Sequence, residues 1–489
     1  MPRGFAFVSA CALACLLTAV SSCRKDLAPA SMTGFPEKVN TVMQTRCAVS
    51  GCHNDRSKDA AGGLSLDTWG DMMRGGRNGA VVIPFRSNRS LIHLYTNTFE
   101  DIGVSLKPTM PVNEEPLNRD EVMLLKNWIN QGAPNANGLV AFSQNPNRQK
   151  FYVSNQGCDE IAVVDAESKL IMRYIGAGSD PQIEAPHYLR TSPDGKYLFS
   201  VFATGSVVQK FDCATDQLIG SVNVTQGSWN TIALNGDGTR GVISDFQSDG
   251  RLVLLDLLNM AVIKSYSGLV NPHGLWVSDD FKLVYCTSQY GNFIYKIDIT
   301  DVENPELEQI VLQPGAIASS VPSLDPHEIL FSPDGSLYFV TCQRSNEVRV
   351  MDATADTLVQ VLATGVTPLE MAMSHTNPYL FVACSEEPST NPRELGAVDV
   401  FNYETLQYIK TIKGNMYQPH GIAVNDAYRL VAVSNRNLDS NGPAPHHTTD
   451  CGGRNGFLQL IDLNTLELVK GYRAELSGDP YSVTSRYPN

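Results

Sequence analysis

The spacing of apolar residues changes once along the chain. Phe35, Val39 and Met43 recur at helical spacing, and a second helical pattern runs over residues 118–132. After the turn-forming segment 134–138, apolar and polar residues alternate with the period of two that is typical of strands. The pattern predicts a small all-α unit followed by a long all-β unit.

The β-rich part is repetitive. The turn sequence Ser-Pro-Asp-Gly at 192–195 recurs at 332–335, and each repeat contains a strand that ends in Asp. The repeat length, mostly in the forties, is that of a four-stranded propeller blade. A seven-bladed β-propeller is therefore predicted over 139–489, with the tail at 480–483 returning as a strand that closes the ring. The strand-ending aspartates are Asp165, Asp212, Asp256, Asp298, Asp352, Asp399 and Asp462.

A family resemblance supports this architecture. The Ser-Pro-Asp-Gly turns and the run Tyr-Val-Ser-Asn at 152–155 resemble the YVTN family of seven-bladed propellers. The resemblance extends over nearly the whole β-rich unit. It implies a fold rather than a function.

Composition and charge exclude several classes of protein. The chain has 489 residues, 43% of them hydrophobic and 18% charged, which is typical of globular rather than disordered proteins. A net charge of −14 argues against a nucleic-acid partner, because phosphate binding needs a basic surface.

The first residues indicate export. An apolar run over 5–20 follows Arg3 and is too short to span a bilayer. The run leads into Val20-Ser21-Ser22-Cys23, which resembles a bacterial lipobox. The resemblance implies a signal peptide over 1–22, a lipid on Cys23 and a linker over 23–35. The mature protein is then extracytoplasmic and lipid-anchored to a bacterial membrane, on the periplasmic or cell-surface side. A plain secretory signal or a short membrane anchor is the alternative.

A cysteine and histidine motif follows the first helical pattern. Cys47 and Cys52 have four residues between them, and His53 follows directly. Two thiols and an adjacent imidazole can attach and ligate haem, although the usual spacing has two intervening residues. The motif alone also fits a disulfide or half of a zinc site, but a zinc site needs a second pair of ligands and this segment offers only His93. Met110, which lies between two prolines, is a candidate sixth ligand of a haem iron.

A wider set of motifs resembles a known family. The Cys-x4-Cys-His run, the segment 62–66, Met110-Pro111 and the segment 128–133 resemble the cytochrome c-like domains of planctomycete-type and related bacterial proteins. The resemblance implies that 36–134 is a haem c domain. Cys47 and Cys52 are then thioether sites, His53 the proximal ligand and Met110 the distal ligand. A His/Met pair leaves no open position on the iron and favours electron transfer. His93 is expected to be a packed helix residue.

Pro-His pairs begin the innermost strand of four predicted blades, so their imidazoles should converge on one mouth of the propeller. The chain arriving from the first unit is expected to enter an inner strand at this same mouth. Converging imidazoles can bind copper, zinc or iron, but they can also serve only as hydrogen-bond partners between blades. The histidines of these pairs are His187, His273, His327 and His420.

Three functions remain open. The first is a membrane-anchored haem protein that transfers electrons between a redox partner, either a protein or a small-molecule donor or acceptor, and the propeller. The second is a metal-dependent oxidoreductase whose active site is a second metal, copper or another, at the histidine-lined mouth. The third is a binding module with an accessory haem.

Overall fold

The structure is a computed structural model that describes residues 28–385, 395–436 and 456–486. The predicted signal peptide, Cys23 and the insertion at 437–453 lie outside the described residues. In the described ranges, no helix is both long and apolar enough to cross a membrane.

The first unit is helical, and the described residues form five α-helices in it. A π-helical turn, Met43–Cys47, continues α2, and two short 3-10 turns, Ser87–Arg89 and Glu100–Ile102, lie between the later helices. The helices are Ala30–Thr33 (α1), Glu37–Val42 (α2), Trp69–Met73 (α3), Leu91–Thr96 (α4) and Arg119–Asn130 (α5).

The two predicted helical patterns pack against each other. Phe35 and Trp128 lie edge to face with ring centroids 6.2 Å apart, inside one apolar core. Asn118 caps α5 through a reciprocal pair of hydrogen bonds with Glu121. The apolar periodicity thus identified both helices, and the cap residue identified where the second one begins.

The second unit is all β, and the described residues form seven antiparallel sheets. Each sheet from the second to the sixth contains four consecutive strands. The seventh sheet begins at Pro419. The strands are Lys150–Asn155 (β1), Glu160–Asp165 (β2), Ile171–Gly176 (β3), Pro186–Thr191 (β4), Tyr197–Phe202 (β5), Val207–Asp212 (β6), Gln217–Asn223 (β7), Trp229–Leu234 (β8), Arg240–Asp245 (β9), Gly250–Asp256 (β10), Ala261–Leu269 (β11), Pro272–Val277 (β12), Leu283–Ser288 (β13), Phe293–Asp298 (β14), Glu306–Val311 (β15), Pro326–Phe331 (β16), Leu337–Cys342 (β17), Glu347–Asp352 (β18), Thr357–Ala363 (β19), Pro368–Met373 (β20), Tyr379–Cys384 (β21), Ala397–Asn402 (β22), Gln407–Ile412 (β23), Pro419–Asn425 (β24), Leu430–Asn435 (β25), Gly456–Asp462 (β26), Glu467–Leu468 (β27), Ala474–Leu476 (β28) and Pro480–Ser485 (β29).

The ring closes between the two ends of the β unit. The last strand, β29, pairs with β1 and becomes the innermost strand of the first blade, in the order β29-β1-β2-β3. The predicted seven-bladed propeller and its closing strand are confirmed. The expectation that the incoming chain enters an inner strand is wrong, because β29 occupies that place and β1 is the second strand. The second strand of a blade starts at the opposite end from the inner one, so the chain enters the propeller at the end away from the histidines.

Six of the seven strand-ending aspartates stand where the sequence predicts. In blade six the strand β22 continues past Asp399 and ends at Asn402. The Asn402 side chain accepts hydrogen bonds from the backbone N–H groups of Glu404 and Thr405, as the aspartates do in their own turns. Asn can take this role because its side-chain oxygen has the same reach as that of Asp.

The helical unit packs against the outer rim of the propeller. Ile83 lies in one apolar cluster with Tyr174 of blade one and Leu476 of blade seven. Beside it, the Arg89 guanidinium forms an ion pair with Glu160 in blade one. The helical unit therefore contacts the outer edge of two neighbouring blades, whereas the sequence had indicated the histidine-lined mouth.

Candidate functional site

The helical unit contains a cavity of about 580 Å³. Cys47, Cys52, His53 and Met110 all line it, although Met110 is far from the others in the sequence. Its volume is within the range of about 300–1,000 Å³ that ligand and cofactor sites occupy. The cavity thus brings together two thiols, an imidazole and a thioether, the groups that attach and ligate a haem c.

Local backbone structure positions the cysteine and histidine side chains. Cys47 is the last residue of the π-helical turn, and the His53 N–H donates to the Cys47 carbonyl at 3.1 Å. The Leu66 N–H donates to the His53 carbonyl at 2.8 Å. The loop from Cys47 to His53 is therefore tied back on itself, which allows four intervening residues between the cysteines.

Met110 reaches the same cavity from the segment after α4. Its backbone N–H donates to the carbonyl of Tyr95 in α4 at 2.8 Å. The prolines that flank Thr109 and Met110, which are Pro108 and Pro111, also line the cavity. The helix and the prolines together hold the thioether at the cavity wall.

The protonation states of these groups follow from burial. Burial lowers the pKa of His53, although the backbone of Leu64 and Ala61 acts in the opposite direction. Neutral imidazole is the form that ligates a metal. The Nδ1 atom of His53 is buried and has no hydrogen-bond partner within the described part of the chain. Burial also raises the pKa of Cys47 to about 12, so this side chain is a thiol at neutral pH.

His93 does not belong to this site. It lies in α4, is buried and is not among the residues that line the cavity. Burial, helped by the charge of Lys126, lowers its pKa to about 4. His93 is a packed helix residue, as the sequence indicated.

The four propeller histidines meet inside the channel. All four are buried and line a small cavity of about 10 Å³, together with Tyr481 of the closing strand. The ring centroids of His273 and His327 lie 4.1 Å apart, and those of His420 and Tyr481 lie 3.6 Å apart. Burial lowers the pKa of each imidazole, so the cluster is neutral at pH 7. The shifts apply to His187, His273, His327 and His420.

The histidine cluster makes a contact between neighbouring blades. Among residues 28–385, 395–436 and 456–486, no group of three His, Cys, Asp or Glu side chains could hold a metal ion. The His273 Nδ1 atom instead lies 3.1 Å from the His327 carbonyl, a contact between neighbouring blades. This contact agrees with the structural alternative for the Pro-His pairs.

A second layer of channel residues was missed by the sequence analysis. The third residue of three inner strands also lines the channel. These residues are Tyr188, Glu328 and Glu370. Each inner strand has a register shift at its start. In a regular strand consecutive side chains point to opposite faces, but at such a shift two consecutive side chains can both point toward the channel. The shared position of Glu328 and Glu370 in their repeats was a signal that could have found them.

The pKa values of both channel carboxyl groups are raised. Burial raises the pKa of Glu328 to about 7, and burial together with the charge of Glu328 raises the pKa of Glu370. The nearby Arg190 guanidinium acts in the opposite direction on both. Two carboxylates that share one site do not ionise together without compensating charge.

Comparisons with known proteins support the fold. No protein-family model matches the chain, and no curated protein matches it. A functionally unknown protein from Desulfotomaculum acetoxidans DSM 771 is similar, with a TM-score of 0.55 and 14% identity over 70% of this chain and 99% of that chain. At this identity the likeness extends to the fold and not to activity.

Two further solved structures are similar at lower scores. One is the Kuenenia stuttgartiensis hydrazine synthase, with a TM-score of 0.48 and 18% identity over 63% of this chain and 92% of that chain. The other is the β-propeller domain of Cps50 (Swd1) from Myceliophteria thermophila, with a TM-score of 0.49 and 11% identity over 61% of this chain and 89% of that chain.

Proposed function

We propose that this protein is an extracytoplasmic, membrane-anchored c-type haem protein that transfers electrons between a redox partner and its propeller. The observation that carries the proposal is the convergence of Cys47, Cys52, His53 and Met110 on one cavity of about 580 Å³. A disulfide or a zinc half-site would not require a thioether in the cavity lining or a cavity of this size.

Each residue has a distinct part in holding the haem. The Cys47 and Cys52 thiols would form the thioether bonds to the haem, and His53 and Met110 would ligate its iron. Haem c, when bound, supplies an iron that gains or loses one electron. The His53 Nδ1 atom, buried and without a partner in the described chain, is one of the two ring nitrogens available as a ligand.

The cavity walls favour electron transfer over chemistry on a substrate. Apolar side chains at Leu64, Val81 and Ile92 line the cavity. With His53 and Met110 both bound to the iron, no ligand position would remain for a substrate, and these residues would act to hold the iron. This favours an electron relay over an oxidoreductase site in the helical unit.

The experiment that tests the proposal is expression of the full chain in a bacterium with haem-ligation machinery. We expect a pyridine haemochrome spectrum whose colour stays with the polypeptide after denaturation. The double variant Cys47→Ala/Cys52→Ala should lose the covalently held pigment. Cys342→Ala is the matched control, since Cys342 is buried in the propeller, and it should keep the pigment. A colourless wild-type protein from a host that matures other c-type cytochromes would refute the proposal.

The membrane anchor is tested separately. The sequence Val20-Ser21-Ser22-Cys23 supports lipidation of Cys23 after removal of residues 1–22. Metabolic labelling with a radioactive fatty acid should label the wild type and not Cys23→Ala. Equal labelling of both proteins would contradict the anchor while leaving the haem site untouched.

A further inference from the structure

The propeller channel holds a larger cavity beyond the histidine cluster. This cavity has a volume of about 620 Å³ and extends to the turn at 332–335, at the far end of the inner strands. Tyr188, Glu328 and Glu370 line both this cavity and the small histidine cavity, so they form the layer between the two. These three polar residues form the floor of the larger cavity, and the imidazoles lie on the other side of that floor.

The floor contains a carboxylate oxygen without a partner. Glu370 is 3% exposed, and its Oε1 atom makes no hydrogen bond in the described part of the chain. That atom lies 3.2 Å from His420 Nδ1, and neither atom makes a hydrogen bond in the described part of the chain. Glu328 differs, because its two oxygens accept from the Tyr188 hydroxyl and the Met371 N–H. A buried, unpartnered carboxylate oxygen costs free energy unless a donor is supplied from outside the chain.

The cavity is lined by more acidic groups than basic ones. Among its described lining residues, Arg190 is the one permanent cation, and it faces two buried carboxyl groups. Asp279 and Asp280 add negative charge near the turns, and Asp280 already pairs with Lys282 at 3.1 Å. His375 lies at the exposed end of the cavity. Arg190 can balance one ionised carboxyl group, so the other stays protonated until a ligand with one positive charge lets both ionise.

Apolar side chains form part of the walls above the floor, beside polar ones such as Thr484 and Ser485. Met371, Met373, Ile422 and Val424 line them, and Trp276 stacks on Phe331 with ring centroids 3.8 Å apart. Such walls accept an aliphatic body, while the floor accepts a cationic head. A metal ion would not use the apolar walls, and an anion would meet an excess of carboxylates.

We propose that the propeller channel binds a small organic monocation, a primary ammonium group on a short aliphatic chain, with its head against Glu328 and Glu370. The ammonium group donates hydrogen bonds to the free Glu370 oxygen and to the neighbouring carboxylate. This site is independent of the haem cavity, which lies in the other unit.

Isothermal titration calorimetry on the full-length protein tests the site with three probes of matched shape. They are n-butylammonium chloride, n-butanol and sodium butyrate. We expect the ammonium ion to bind at one site per chain, and the alcohol and the butyrate to bind at least about tenfold more weakly, since each lacks the charge that the floor requires. Tighter binding of butyrate than of butylammonium would assign the site to anions at Arg190 and overturn the proposal. Absence of butylammonium binding would overturn it as well.

Variants locate the binding within the channel. Glu370→Gln keeps the shape of the side chain and removes its charge, so it should weaken butylammonium binding by about tenfold to a hundredfold. Glu308→Gln, at an exposed position on β15, is the matched control and should bind as the wild type does. Thermal unfolding of each variant checks its folding. Unchanged binding by a folded Glu370→Gln protein would contradict the assignment. If the variant does not fold, the comparison of the three probes on the wild type still tests the proposal.

Discussion

The Arg89 Nη2 atom lies 2.8 Å from the Glu160 Oε2 atom, and this ion pair joins the helical unit to blade one. Both side chains are 8% exposed, and the Arg89 Nε atom also donates to Glu160 at 3.0 Å. Arg86 adds a longer contact, with its Nη1 atom 3.5 Å from Glu160 Oε1. A buried, doubly hydrogen-bonded pair of this kind fixes the orientation of two packed surfaces. The two units are therefore docked against each other at a defined place.

The first prediction concerns that contact. Glu160→Gln should destabilise the docking by about 3–5 kcal/mol, because it leaves the buried Arg89 guanidinium without its counter-ion. Arg89→Met should cost less, because Glu160 keeps Arg86 as a partner. Chemical denaturation, followed by helical-unit and propeller signals separately, measures both. Equal losses in the two variants would show that Arg86 gives Glu160 no support.

The second prediction concerns the distal ligand of the proposed haem. Met110→Leu preserves volume and removes the sulfur, so the reduction potential should fall and the spectrum should change to that of a five-coordinate or water-ligated iron. Met73→Leu is the matched control, since Met73 packs against the core of the same unit and does not line the cavity. Redox titration and the visible spectrum report the result. If Met110→Leu kept the wild-type spectrum, Met110 would not be the ligand.

The third prediction concerns pH and the channel carboxyl groups. Because burial raises the pKa of Glu328 from 4.5 to about 7, the folded protein binds more protons than the unfolded chain between these values, and stability falls as pH rises through this window. Glu328→Gln removes this loss. The variant should match the wild type near pH 4.5 and exceed it by roughly 3 kcal/mol in free energy of unfolding above pH 7. Urea denaturation across the range measures the difference, and a constant difference would contradict the shifted pKa.

The fourth prediction concerns closure of the ring. A Cβ atom at Gly421 in blade seven would lie 2.4 Å from the Tyr481 carbonyl oxygen in the closing strand. Gly421→Ala should therefore force these inner strands apart and cost about 1–3 kcal/mol. Gly70→Ala is the control, because its nearest contact would be an ordinary 3.8 Å to Thr68 Oγ1. Thermal unfolding of the two variants should differ in this order, and equal midpoints would argue against tight packing at the closure.

Much of the fold could be predicted from local patterns. Apolar spacing identified α2 and α5, and the side chain of Asn118 identified the N-terminus of α5. The repeats gave seven blades even though Asn402 replaced one of the expected aspartates, because a repeat is recognised by several positions at once. The Cys47, Cys52 and His53 motif and Met110 were found in the same way, each from residues close together in the chain.

The sequence by itself thus determined two of the helices and the number of blades, and it pointed to the residues of the candidate haem site, since these depend on short-range spacing. Only the tertiary structure decided which strand is innermost in blade one, because β1 and β29 lie at opposite ends of the propeller sequence. It also decided that the helical unit packs on the outer rim, through an Arg89–Glu160 contact that no periodicity encodes. The pairing of Glu328 with Glu370 is of the same kind. Each residue stands alone in its own repeat, and they meet because neighbouring blades converge on one channel and a shifted register turns both side chains toward it.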